Sequence, residues 1–295
     1  MCRRNSVDSL SRALPRTTWA AEHDGGVRLA GAPHHHVPKS SVRFAYNRIE
    51  GVPAVDVQLR KVVQGYGRRC VLDNVSLALE PGITALLGPN GAGKSTLMRT
   101  LVTDLPVRGG EIVLYGRVLH NASQRHSARQ LIGYLPQDFG YDSRFTVQEY
   151  VTYLAWLRGV SATGRTRAVD RALDLVALLD HRSTRMGRLS GGMRQRAGIA
   201  GAIVGDPSLV VLDEPTVGLD PSQRADFRRV LTRLPASHVL LSTHLTDDVA
   251  NVAQHVVVLN RGVVQHQGAV ADLVANYGSV ESGYLSLVGE VEVDR

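Results

Sequence analysis

Residues 83–96 read ITALLGPNGAGKST. An apolar run the length of one buried strand ends in a glycine-rich loop, and a lysine and two hydroxyls open the segment that follows. No other stretch of the chain restricts the fold as tightly. Glycines let the backbone curl so that successive N–H groups point inward, and the start of a following helix adds its own free N–H groups to the same space. Gly88 to Ser95 fits G-x-x-x-x-G-K-[ST], a pattern that average composition yields by chance in roughly one chain in a hundred of this size. In that reading Gly88, Pro89, Asn90, Gly91, Ala92 and Gly93 form the cradle. Lys94 reaches the β- and γ-phosphates, Ser95 offers its hydroxyl to Mg²⁺, and Thr96 bonds an α-phosphate oxygen. The implied ligand is a nucleoside triphosphate.

Strand-like and helix-like segments alternate around this loop. VDVQLRKVV (55–63) has the two-residue period of a strand, and VSLALE (75–80) ends at the turn signal Pro81-Gly82. KSTLMRTLVTDL (94–105), QEYVTYLAWLRGV (148–160) and TRAVDRALDLVALLDH (166–181) carry helical apolar spacing, and GGMRQRAGIAGAIVG (191–205) reads as a small-residue helix stopped before Asp206-Pro207. EIVLYG (111–116) reads as another strand. SLVVLD, HVLLST and HVVVLN are short uninterrupted apolar runs, as parallel strands buried on both faces would be. The expectation is an α/β fold around a parallel sheet.

Charge divides the chain. Residues 1–54 hold eight basic and four acidic residues, against twenty-six and twenty-three in the remainder, within a total of +7. Residues 1–53 have no sustained periodicity and several Gly/Pro/Ser clusters, so we expect a disordered basic extension. Its basic residues are not interleaved with aromatics, so nucleic acid is not an expected partner. The paired arginines near Met1 are followed by no apolar core, which excludes a secretory signal, and the true start of translation is expected to be Met1 or a point downstream of it. PHHHV (33–37) reads as an unstructured histidine run. No window approaches 18 apolar residues, so no membrane-spanning helix is expected. Cys2 and Cys70 are too few for a disulfide framework or a cysteine metal cluster. Lys39, Lys61 and Lys94 are the only lysines. Where arginine does almost all the basic work, a lysine in the glycine loop is informative.

Two further stretches carry chemistry. In SLVVLDEPTVGLDP (208–221) an apolar strand ends in adjacent carboxylates. Asp213 is placed to hold Mg²⁺ through water, and Glu214 to polarise a water for in-line attack on a γ-phosphate. In RLSGGMRQR (188–196) a serine and two glycines precede a helix, a second anion-binding helix start in one chain.

With these motifs in this order, Val55 to Gly278 closely resembles the ATP-binding cassette (ABC) ATPases. The resemblance implies a P-loop NTPase core with a parallel sheet, an N-terminal antiparallel β subdomain and an inserted helical signature subdomain at about 138–188. It assigns 54–278 to the cassette and 279–295 to a C-terminal tail. In that family two cassettes pair head to tail, each ATP lying between the glycine loop of one and the signature of the other. Residue by residue, Tyr66 matches the aromatic that stacks on adenine. Gln137, in GYLPQD, matches the glutamine that touches Mg²⁺ and the attacking water. Ser190, Gly191 and Gly192 match the signature, and Asp220, in GLDP, matches the D-loop aspartate that crosses the dimer. His244, in LLSTHL, matches the switch histidine at the γ-phosphate. Met193 stands where the family most often has glutamine, a departure away from the main phosphate ligands.

The resemblance also narrows the role. The spacing from Lys94 to Ser190 leaves no room for a long coiled coil, a second cassette is missing, and few residues follow His244. What it implies is a stand-alone, ATP-hydrolysing nucleotide-binding subunit, using ATP and Mg²⁺, on the inner face of the cell membrane. Its implied partners are a separate polytopic membrane subunit and a second cassette, identical or not. LPQDFGYDSRFTVQEYVTYLAWLRGV (135–160) looks like the branch that exports drugs, antibiotics, lipids or peptides, with Phe139, Tyr141 and Phe145 as docking candidates. Two other readings stay open: a non-transport ABC ATPase acting on the ribosome or nucleic acid, and a regulator that senses ATP without turning it over.

Overall fold

A computed structural model describes residues 56–289; the extension expected at residues 1–53 lies outside the described residues. β1 (Val57–Tyr66) and β2 (Arg69–Leu79) pair antiparallel. β3 (Gly82–Leu87) leads through the glycine loop into α1 (Lys94–Leu101). β4 (Gly109–Leu114) and β5 (Arg117–Val118) then complete an antiparallel sheet ordered β2-β1-β4-β5. α2 (Ala122–Arg129) and β6 (Ile132–Leu135) follow, then a helical stretch of α3 (Val147–Leu157), α4 (Ala162–Leu175) and α5 (Gly191–Ile203). The chain next alternates β7 (Leu209–Leu212), α6 (Pro221–Leu231), β8 (His238–Ser242), α7 (Thr246–Val252) and β9 (His255–Asn260). β10 (Val263–Ala269) turns back along β9, and α8 (Val270–Tyr277) and α9 (Val280–Gly289) end the described chain. The second sheet runs β10-β9-β3-β8-β7-β6 and is parallel except for β10.

The uninterrupted apolar runs are explained by what covers each face of this sheet. Along β7, Val210 and Leu212 join the core made with α3, α4, α5 and α6, while Leu209 and Val211 join the core beneath α1 and the antiparallel sheet. β8 divides the same way, Val239 and Leu241 to one side and Leu240 to the other. A strand buried on both faces has no polar side to alternate with. Each fully buried Leu or Val contributes about 1.5–3 kcal/mol relative to exposure.

Helix starts follow local chemistry. Thr146 and Glu149 cap α3 reciprocally: the Thr146 side chain accepts from the Glu149 N–H, and the Glu149 carboxylate accepts from the Thr146 N–H at 2.8 Å. Ser190 caps α5, and Asp220 caps α6 with Pro221 at its first position. The β9–β10 turn, Arg261-Gly262, has both residues at positive φ, 48° and 78°, as a two-residue hairpin requires.

Candidate functional site

The parallel strands β3, β7 and β8 end on one edge of the sheet, and the site is assembled there. β3 delivers the glycine loop, in which Gly91 and Gly93 take φ of 82° and 106°. Lys94, the first residue of α1, is buried and donates from Nζ to the carbonyls of Gly88 at 2.7 Å and Pro89 at 3.4 Å. Its Nζ lies 3.6 Å from Glu214 Oε1. Ser95 is exposed beside it, and Thr96 is buried.

β7 delivers Asp213, which is 3 % exposed. Its N–H donates to the Leu135 carbonyl on β6 at 2.9 Å. Its Oδ1 accepts from the Ser242 hydroxyl on β8 at 2.7 Å. The Ser242 oxygen in turn accepts from the Glu214 N–H at 2.7 Å. One fully buried hydroxyl therefore holds both adjacent acids, and adjacency of β7 and β8 makes that contact. Glu214 sits at φ 49°, a left-handed conformation uncommon outside glycine, asparagine and aspartate. Its Oε2 lies 2.9 Å from His244 Nδ1, just beyond β8. The Glu214 side chain is 10 % exposed and that of His244 52 %. Lys94, Glu214 and His244 thus form one chain of contacts with the glycine loop at one end.

Other sequence-predicted residues do not join this cluster among the described residues. Gln137 is exposed two residues past the end of β6 and makes no hydrogen bond among the described residues. Tyr66 ends β1 with its ring 46 % exposed. On β6, burial pushes the Tyr134 hydroxyl up to about 12, with the Asp213 charge adding to the effect. Tyr134 therefore stays protonated across the physiological range. Ser190 and Gly191 are exposed at the start of α5, with Gly192 buried behind them. The Ser190 hydroxyl accepts from the Met193 N–H at 3.2 Å, and Asp220 Oδ1 accepts from the Gln223 N–H at 2.9 Å. Neither Ser190 nor Asp220 bonds to Lys94, Glu214 or His244 among the described residues.

Two supports were missed by sequence reasoning. Ser242 is the first; its signal was a serine in a strand otherwise buried. The β9–β10 hairpin is the second. The Gly262 N–H donates to the Ala92 carbonyl inside the glycine loop at 2.9 Å. A side chain at Gly88 would meet the Leu259 carbonyl at 2.3 Å, so the loop lies directly against the hairpin. Its sequence signal was Asn260-Arg261-Gly262 between two apolar runs.

Residues 72–217 match the sequence profile of a family described as ABC transporter. The Nod factor export ATP-binding protein I of Paraburkholderia xenovorans (strain LB400) is 33 % identical over 230 residues, 76 % of this chain and 74 % of that one. The chain belongs to the ABC transporter ATP-binding proteins. It is an ATPase of a family in which hydrolysis is coupled to transport. The methionine import ATP-binding protein MetN of Thermobifida fusca (strain YX) is 39 % identical over 232 residues, 76 % of this chain and 72 % of its own. A solved structure described as the ATP-binding subunit of an ABC transporter superposes with a TM-score of 0.69 at 26 % identity. That match covers 78 % of this chain and 98 % of the other.

One surface of this ABC ATP-binding protein differs from expectation. Phe139 and Tyr141, read as docking candidates, are partly buried against the helical core, with ring centroids 6.0 Å apart and Phe139 6.2 Å from Tyr150. The Arg194 guanidinium of α5 lies 5.3 Å above the Tyr141 ring. The aromatics that reach solvent are on α3, where Tyr153 is 47 % and Trp156 58 % exposed. Their rings stack at 6.1 Å, and Phe145 meets Tyr153 edge-on at 6.3 Å. Together with Gln148, Glu149 and Thr152 they line a shallow hollow of about 690 Å³. Hydrogen bonds from the Thr146 backbone and hydroxyl, with the Arg185 charge adding to the effect, hold the Glu149 carboxyl at the edge of this hollow below the usual carboxylate range. No helix among the described residues is long and apolar enough to cross a membrane.

Proposed function

We propose that this chain is the ATP-hydrolysing subunit of an exporter, working at the inner face of the membrane with a second cassette and a separate membrane subunit. The observation that carries the mechanism is the contact chain from Lys94 through Glu214 to His244 beside the glycine loop. Triphosphate entering the loop replaces Gly88 and Glu214 as the partner of Lys94. Glu214 is released toward the γ-phosphate with its backbone still held by Ser242, and takes a proton from the attacking water. His244 and Lys94 stabilise charge on the phosphoryl oxygens as the bond to the leaving group breaks. Tyr66 stacks on the base.

The donor set fits Mg²⁺. Among the described residues, Asp213 has one oxygen committed to Ser242 and no hydrogen bond on the other, Ser95 is exposed at the start of α1, and Gln137 has an unengaged amide. These are hard oxygen donors, and Mg²⁺ is commonly held by one or two carboxylates, substrate phosphates and water. When bound it would neutralise phosphate charge. Gln137 orients the water, and Ser190, Gly191, Gly192 and Asp220 of one cassette face the nucleotide of the other.

The membrane subunit is proposed to insert a short helix into the α3 hollow. An apolar anchor on that helix fits against Tyr153 and Trp156, and a basic residue meets Glu149. Export is supported by the Nod factor export relatives, although the methionine import relative shares the same cassette.

Glu214→Gln tests the core of this reading. Turnover falls roughly 10²- to 10⁴-fold, the range for loss of a general base. Held with MgATP in detergent-solubilised native membranes, the variant retains a polytopic membrane protein on pull-down. Near-normal turnover removes Glu214 from its role. Ribosomal proteins or nucleic acid in place of a membrane chain would overturn the transport assignment while leaving the ATPase intact.

A further inference from the structure

The inference concerns α6 and rests on the two-cassette reading above. Two stripes of this helix touch two different parts of the site. On the first, Gln223 and Phe227 face α5. The Gln223 side chain covers Gly192 so closely that a Cβ there would lie 2.9 Å from it, and Phe227 is buried in the small hollow below Ser190 and Met193. On the second stripe, one residue further round, Arg228 faces α7. Its Nε lies 3.7 Å from Oδ1 of Asp248, whose side chain is only 5 % exposed.

This pair is left half made. Arg228 Nε and Asp248 Oδ2 are both buried without a hydrogen bond among the described residues. A buried polar group without a partner is costly, and 3.7 Å is outside the range of an N–H···O bond. A relative movement of α6 and α7 by less than ~1 Å brings the two within that range. The described arrangement is the loose one, and burial favours a bonded one.

Asp248 is close-coupled to the switch histidine. Its N–H donates to the Leu245 carbonyl at 3.2 Å, and the Leu245 N–H donates to the Thr243 hydroxyl at 3.0 Å, so this turn brackets His244. At the other end of the route, α6 begins at the Asp220 cap, and its first turn lies against the signature glycine. One rigid helix thus joins the two features that face the partner cassette to the loop that holds His244.

We propose that Arg228 and Asp248 are positioning residues: engagement of the partner at Asp220 and the signature shifts α6, closes the pair and sets His244 against the γ-phosphate. The full chain is measured as Asp248→Asn, as Arg228→Gln, and as the exchange Arg228→Asp with Asp248→Arg. The Arg228 side chain is one-third exposed, so Arg228→Gln keeps the test decisive even if Asp248→Asn fails to fold.

Each single variant is expected to lower kcat roughly tenfold with KM for ATP within about twofold, the pattern of an interaction made in the transition state. The exchange recovers kcat to within about threefold of the parent. In the Glu214→Gln background both single variants still dimerise with MgATP by light scattering.

Unchanged kcat in the single variants overturns the inference and leaves the two-cassette reading standing. A loss that follows the melting temperature, raises KM equally and is not recovered by the exchange also overturns it, reducing the pair to a brace. If Glu214→Gln binds MgATP and pairs neither with itself nor with a second cassette retained from native membranes, the two-cassette reading fails and takes this inference with it.

Discussion

Two polar groups in this chain stand at helix starts, and they differ in what holds them. At the start of α1, Lys94 is bonded to its own loop and paired with Glu214, which meets His244, while Ser242 ties in Asp213. At the start of α5, Ser190 caps its own helix, and nothing lies within 4 Å of the position a Cβ would take on Gly191. The first group has its charges matched inside one chain. Among the described residues, the second presents backbone N–H groups with no acid bonded to them. In the two-cassette reading proposed above, the second group is the half of a composite site that faces outward.

Substitutions at each group test that difference. Lys94→Ala is expected to have the largest effect, weakening ATP binding by an isolated chain roughly hundredfold, as loss of a charge-assisted contact does. Isothermal titration measures it, and an affinity within about threefold of the parent would erase the contrast. Ser190→Ala is expected to leave that affinity unaltered while lowering steady-state turnover roughly tenfold. Equal losses of affinity from Lys94→Ala and Ser190→Ala would mean that both groups serve one nucleotide within one chain. Ser242→Ala probes the matched group from beneath. It leaves the Asp213 oxygen without its donor and the Glu214 N–H without its acceptor, and costs about 1–3 kcal/mol of stability by thermal or denaturant melting. An unchanged midpoint would show that the cluster does not depend on that bridge.

The same division explains what was legible beforehand. The glycine loop, the acidic pair after β7 and the start of α5 each depend on a short run of neighbouring residues, so residue type and spacing expose them. The bridge at Ser242 depends on β7 and β8 lying side by side, which no single segment encodes. Of the three aromatics read as docking candidates, Phe145 lines the α3 hollow, while Phe139 and Tyr141 pack against the helical core. Phe139 and Tyr141 precede α3 in an irregular stretch, where spacing cannot tell an inward ring from an outward one. On α3 itself the information was present. Val147, Tyr150, Val151 and Ala155 are the buried set at helical spacing, which leaves Tyr153 and Trp156 on the opposite side. Exposed aromatics opposite a buried stripe were the signal for a surface with a partner.

The hydrogen bond from Gly262 to Ala92 has a consequence for biosynthesis. The glycine loop is made early on the ribosome, yet β3 takes its neighbours from β8 and β9, and the hairpin bonded to the loop comes later still. Such long-range pairing delays ordering until the distant strands have emerged. A nascent cassette therefore reaches the exit tunnel's end with its motifs spelled out and its grip unformed. Truncated translation products that carry the loop and both acids lack the strands and the hairpin that order the loop.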